Sequence, residues 1–152
     1  MEEFITGKFT QLLDDVLPRL DKQPGRVIAV VPGIQIVWDD CCLGQLTARL
    51  VSLTPVLTNN APMTRCGIKY WQAVGEVALL RCSTALEEDG SAPAPVKVLT
   101  EGVAQLSETE AVLQALNNQD WISSIGAWQP LGPNAGCRGF QLTFNFILDN
   151  PS

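Results

Sequence analysis

The clearest alternation of apolar and polar positions lies near the end of the chain. Phe140, Leu142, Phe144, Phe146 and Leu148 fall on one face of an extended segment, with Gln141, Thr143 and Asn145 on the other. That period of two is what a strand half-covered by a core requires. Near the start, Phe9, Leu12, Leu13, Val16, Leu17 and Leu20 recur at helical spacing, while Asp14, Asp15 and Arg19 face away. This predicts an amphipathic helix. Pro18 should kink its last turn, and the polar stretch 21–25, which contains Pro24, ends it.

Between these ends the pattern is mainly extended. Residues 26–31 are rich in β-branched side chains and predict a strand, and Pro32-Gly33 marks a turn. Residues 34–38 read as a second extended segment, 39–44 as a loop, and 45–54 as a strand with Leu46, Ala48 and Leu50 on one face. Pro55, Asn59, Asn60 and Pro62 predict a loop over 54–64. Residues 67–82 form the longest strand candidate. Ile68, Tyr70, Val74, Ala78 and Leu80 alternate there with Trp71, Ala73, Val77 and Leu79. Both faces are apolar, which predicts a central strand covered on both sides. Gly75 marks a bulge or a close backbone approach.

Residues 83–95, with Glu87-Glu88-Asp89-Gly90 and Ala-Pro-Ala-Pro, predict a mobile acidic and proline-rich loop. A second helix is expected within 100–118. It starts either at a capping box formed by Ser107 and Glu110 or earlier, with Val103 and Leu106 on the face of Val112, Leu113 and Leu116. Residues 121–129 should pair with 138–148 across a Pro/Gly loop. The expected order is α-β-β-β-β-α-β-β, or one strand fewer. That order predicts a single α+β domain over 1–152, with a mostly antiparallel sheet of about five strands and two helices packed on it.

Composition adds constraints. Charged residues make up 17% of the chain, against about 25% in an average soluble protein. The shortage is expected where part of the surface contacts other subunits. The net charge is −6, with ten scattered Lys and Arg, which argues against nucleic-acid binding through phosphate neutralisation. No stretch has the roughly 20 apolar residues that span a bilayer. Met1-Glu2-Glu3 is acidic where a secretory leader is basic. Five cysteines (Cys41, Cys42, Cys66, Cys82 and Cys137) are therefore expected as free thiols in a reducing cytoplasm, serving as small buried hydrophobes.

Catalytic chemistry is not signalled. The chain has no histidine, which removes the usual general base and the commonest metal ligand. Cys41-Cys42 lacks the short spacer of a zinc site. Asp39-Asp40 reads as a solvated pair, and Gly126, Gly132, Gly136 and Gly139 read as turn residues rather than a phosphate loop. No catalytic, metal or cofactor-binding residue is assigned, and no cofactor is expected. Of Trp38, Trp71, Trp121 and Trp128, most should be core. Trp128, beside a Gly/Pro loop, is the candidate partner contact.

Three local patterns carry a resemblance. They are Pro32-Gly33 with Trp38-Asp39-Asp40-Cys41 and Gly44-Gln45-Leu46; Cys66-Gly67-x-x-Tyr70 with Leu80-Arg81-Cys82; and Trp128-x-Pro130-x-Gly132-Pro133 with Gly136-Cys137-x-Gly139. Together they resemble the tail-terminator family, head-to-tail neck proteins of long-tailed (siphovirus-type) phages infecting actinobacteria. The resemblance implies an α+β subunit that assembles with itself into a ring, usually a hexamer. Such a ring caps the head-proximal end of the tail tube, and its partners are the major tail tube protein and a neck or stopper protein. It implies a virion protein at the head–tail junction, assembled in the host cytoplasm, with DNA passing through the lumen without specific binding. Glu87, Glu88 and Asp89 are then candidates for a loop facing the lumen or a neighbouring ring. Alternatives are a stopper or connector of the same neck, a thiol-dependent enzyme, and a small-ligand-binding domain.

Overall fold

The computed structural model describes residues 1–33, 41–57, 67–84, 89–134 and 136–149. Helix α1 (Glu2–Val16) buries Ile5, Phe9, Leu12, Leu13 and Val16, and runs into a single 3-10 turn, Leu17–Arg19. Pro18 sits within that turn, where its missing N–H breaks the α ladder. Strand β1 (Arg26–Ile28) follows, then a second 3-10 turn (Cys41–Leu43), β2 (Gln45–Leu57) and β3 (Ile68–Cys82). Helix α2 (Pro95–Asn117) precedes the hairpin of β4 (Ile122–Asn134) and β5 (Cys137–Asp149). The expected extended segment 34–38 lies outside the described residues.

The five strands form one sheet in the order β1-β2-β3-β5-β4, antiparallel except for β1 beside β2. This is the α+β architecture the pattern predicts, with β3 in the centre. Leu79 faces Phe140, Val77 faces Leu142, Gly75 faces Phe144 and Ala73 faces Phe146 across β3 and β5. These positions form the face that α1 covers. Phe9 meets Phe144 and Phe146 edge-on at 5.7 and 5.9 Å, and Trp121 lies over the same two rings. Gly75 makes the expected close approach, because a Cβ there would sit 2.3 Å from the Phe144 ring. The facing strand also carries a register shift between Leu50 and Ser52.

On the opposite face Arg49 and Glu76, directly paired in register, form a two-pronged ion pair at 2.7 and 3.2 Å. The same face carries a small buried apolar cluster of Ala78 and Leu80 with Leu131, and towards β4 it carries polar pairs. Gln141 donates to Gln129 at 2.8 Å and Asn145 to Ser124 at 2.9 Å.

Three expectations change. The strand expected over 45–54 runs on through Pro55 to Leu57. This is possible because β1 covers only positions 45–47, so the outer side of β2 at Pro55 needs no ladder bond from described residues. The Pro/Gly loop is likewise absorbed: Pro130 and Pro133 lie inside β4, which has no strand among the described residues on its outer side and is interrupted by three register shifts. Helix α2 starts at Pro95, not at Ser107. Proline at the first helical position lacks only an N–H that has no helical acceptor there. Ser107 and Glu110 are interior, and Val103 and Leu106 are exposed rather than on the core face, which consists of Ala111, Val112, Ala115 and Leu116.

Candidate functional site

The features that are not simply core lie around α2. Its C-terminal half is bound into the molecule. Asp15 of α1 accepts hydrogen bonds from Asn118 and Gln119 at 3.1 Å each. The N-terminal half runs over the end of the sheet, where Arg81 of β3 and Arg138 of β5 stand opposite one another in the ladder. Like charges directly opposite are destabilising unless neutralised, and α2 supplies the neutralisation. Glu108 accepts from Arg81 at 2.7 Å and lies 3.9 Å from Arg138. Glu101, one heptad earlier, lies 3.8 Å from Arg138 and accepts from Thr84. Arg81 also donates to the Lys22 carbonyl at 2.5 Å. The cluster ties one helix to two strands and to the stretch that follows the 3-10 turn Leu17–Arg19. Every carboxylate in it faces a cation, so it is a positional clamp rather than an acid–base pair.

An open groove of about 740 Å³ lies beside the clamp. It runs between α2 and the outer end of the β4–β5 hairpin and is lined by Val98, Gly102, Leu131 and Pro133, with Glu101 and Arg138 at its polar side. A smaller cleft of about 190 Å³ lies on the other side of Arg81 and Arg138, and Arg19 and Lys22 also line it.

The opposite side of α2 is apolar and uncovered. At 100° per residue, Glu101 and Glu108 lie within about 20° of each other, and Val96, Leu99, Val103 and Leu106 lie on the far side, about 180° away. These four are 68, 66, 58 and 63% exposed. The next position in their +3, +4, +3 row is the exposed Glu110, which ends the apolar run before Leu113, a residue packed on the core.

Trp128 sits at the border of this region. Its ring stacks on Phe140 at 6.3 Å, its indole N–H donates to Thr109 of α2 at 3.1 Å, and 38% of it remains exposed. It thus has internal partners and a free edge. Glu87 and Glu88 lie outside the described residues. Asp89 is exposed and accepts from the Ser91 N–H at 2.9 Å. Hydrogen bonds from Ser91, its side chain first, hold the Asp89 carboxyl below its ordinary range. Asp39, Asp40, Trp38 and Cys66 also lie outside the described residues. Of the glycines expected at turns, Gly136 alone lies between the strands of the hairpin, with positive φ; Gly126 and Gly132 lie within β4, Gly132 also with positive φ, and Gly139 lies within β5.

The free-thiol expectation is overturned for four of the five cysteines. Cys41 is bonded to Cys137 and Cys42 to Cys82. The cause is register: Cys82 and Cys137 are direct partners between β3 and β5, and the turn Cys41–Leu43 brings two consecutive cysteines to them. Cys41 and Cys137 are buried as expected, whereas Cys42 and Cys82 are exposed. Among the described residues no group of three or more His, Cys, Asp or Glu side chains could hold a metal, and no helix is long and apolar enough to cross a membrane.

The clamp, the seam and the disulfides escaped sequence reasoning. The seam alone had a readable signal, the heptad spacing of Val96, Leu99, Val103 and Leu106. No protein-family model matches the chain, and no curated protein is similar to it in sequence.

Proposed function

We propose that this chain is a structural subunit that assembles with copies of itself, and specifically a tail terminator whose ring caps the head-proximal end of a phage tail tube. The observation that carries the assembly reading is the uncovered apolar seam of α2, held out from the body by a buried ionic clamp on its other side. A helix half with four large apolar side chains exposed in line is a surface built to be covered. The terminator reading adds the resemblance of residues 32–46, 66–82 and 128–139 to neck proteins. The low charge content and the acidic balance, which suits a lumen that DNA must traverse without sticking, agree with it. The two disulfides suit a particle that leaves the cell for an oxidising medium.

The test is to image the head–tail junction of virions that carry this protein at side-chain resolution. A ring of the chain on the last tube layer is the expected result. Its absence from the virion would end the structural reading. A ring seated on the portal side, with co-purification from tailless capsids, would assign it to the stopper or connector class instead.

The groove supports a second reading, a small-ligand-binding domain, because its volume lies in the usual range for such sites and its lining combines apolar walls with one carboxylate and one guanidinium. A ligand-dependent rise in melting temperature, lost in Gly102→Trp, is the corresponding measurement.

A further inference from the structure

We infer that the surface bond Cys42–Cys82 is a modification site for small thiols, and that opening it transfers the buried bond from Cys41–Cys137 to Cys82–Cys137. Two observations carry this. The first is the difference in access between the two disulfides. Cys42 and Cys82 are exposed, whereas Cys41 and Cys137 are 4 and 2% exposed. An attacking thiolate needs access to a sulfur, so the exposed bond is the one that external thiols open.

The second is register. Cys82 and Cys137 are direct partners between β3 and β5, and the next pair outward is joined by the Ser83 N–H donating to the Gly136 carbonyl at 2.7 Å. Hydrogen-bonded and non-hydrogen-bonded pairs alternate along an antiparallel ladder, so Cys82 and Cys137 form a non-hydrogen-bonded pair. The Cα atoms of such a pair stand about 4.5 Å apart. That lies within the roughly 4.4–6.8 Å that a disulfide spans. Both side chains point to the same side of the sheet, and each is bonded to a cysteine of the turn Cys41–Leu43 rather than to the other. A third pairing is therefore already in place geometrically.

The exchange runs as two displacements. A small-thiol thiolate attacks the Cys42 sulfur, forming a mixed disulfide there; the Cys42–Cys82 bond breaks and its electron pair leaves on Cys82. The Cys82 thiolate then attacks the Cys137 sulfur of its ladder partner; the Cys82–Cys137 bond forms, and the Cys41–Cys137 bond breaks with its electron pair on Cys41. A second thiol clears Cys42, releasing the oxidised small thiol. The net change is two electrons in, with Cys41 and Cys42 left as thiols. Proximity favours the second step, because the attacking sulfur is generated beside its target. The turn Cys41–Leu43 loses both tethers, while the strand ends that carry Arg81 and Arg138 stay cross-linked.

Partial reduction of the intact, oxidised chain tests this. One equivalent of dithiothreitol is added, samples are quenched in acid over time, free thiols are alkylated with N-ethylmaleimide, and a non-reducing tryptic digest is read by mass spectrometry. Cleavage after Lys and Arg separates residues 27–49, 66–69, 82–97 and 98–138. Cys41 and Cys42 thus share one peptide, Cys82 and Cys137 lie on two others, and Cys66 is scored separately. The expected two-electron product is 82–97 linked to 98–138, with two labels on 27–49 and none on 82–97. Peptide 27–49 still linked to 98–138, with one label on it and one on 82–97, overturns the exchange. Labelling of all four cysteines with no 82–97 to 98–138 link at any time overturns it as well.

Discussion

Deleting the Glu108 carboxylate is the sharpest probe of the clamp. In Glu108→Ala, Arg81 and Arg138 remain opposite one another with side chains only 7 and 16% exposed, and Arg81 loses its 2.7 Å partner. Breaking a buried ion pair from one side typically costs about 3–5 kcal/mol. Two features lower the expectation here. Arg138 keeps Glu101 nearby, and the cleft of about 190 Å³ beside the guanidinium groups admits solvent. A loss of about 3 kcal/mol is therefore expected from the lower end of that range. With a urea m-value of about 2 kcal/mol per molar, the midpoint should fall by about 1.5 M. Urea titration followed by tryptophan fluorescence reads this directly.

The double variant Arg81→Met/Glu108→Leu should recover most of the loss, since replacing both partners of a buried pair by apolar groups is often near neutral. Amide exchange should also accelerate over residues 95–106 in Glu108→Ala more than over 111–116, because only the outer half depends on the clamp. A loss below about 1 kcal/mol, the range of solvent-exposed pairs, would refute the account. So would a double variant no better than the single one.

Four other outcomes are expected. Gly44→Ala should lose about 2 kcal/mol or more in the same titration, because Gly44 has φ +81° and a Cβ would lie 2.5 Å from Arg81 Nη1 and 3.1 Å from the Pro24 Cα. Gln45→Leu should stabilise the fold by about 1 kcal/mol, since the Gln45 amide is buried and neither of its polar atoms has a hydrogen-bond partner among the described residues. Non-reducing digestion should release Cys41–Cys137 and Cys42–Cys82 as linked peptides. Reduction should lower the thermal midpoint, because bonds closing loops of 96 and 40 residues restrict the unfolded chain by up to about 4–5 kcal/mol for the longer one. Asp89 should titrate below ordinary aspartates in a carboxyl-detected NMR series, and Ser91→Ala should raise it. Because its folded pKa is depressed, any stability it contributes is present above the ordinary aspartate range and is lost as pH falls through the lowered value.

How much of this was readable depended on whether the signal was local. The Phe140–Leu148 alternation, the α1 periodicity and the two-sided apolar strand around Val77 are local patterns, and each became the element it predicted. Proline misled in both directions. Pro55, Pro130 and Pro133 read as loop, yet they occupy strand positions where no described neighbour takes a hydrogen bond on that side, and Pro95 read as loop while starting a helix. The clamp and the disulfides are properties of register. Arg81 and Arg138 are 57 positions apart, their shared counterion Glu108 is 27 and 30 positions from them, and the β3–β5 pairing that sets Arg81 against Arg138 also sets Cys82 against Cys137. The single-residue step between these two pairs explains why one lies under α2 and the other on the opposite face. Neighbouring positions on a strand point to opposite sides of the sheet.

That alternation joins the two ends of the functional reading. On one face the end of the β3–β5 pair is charged and grips α2; on the other it is cross-linked to the turn Cys41–Leu43. The strand ends that carry the clamp are therefore the ones fixed covalently, and the outer half of α2 inherits that rigidity through Glu101 and Glu108. A helix that served only its own core would gain nothing from such anchoring of its far half, where no residue between Pro95 and Leu106 is buried. An apolar seam offered to a second subunit does gain, because a surface held in place before contact loses less conformational freedom when it docks.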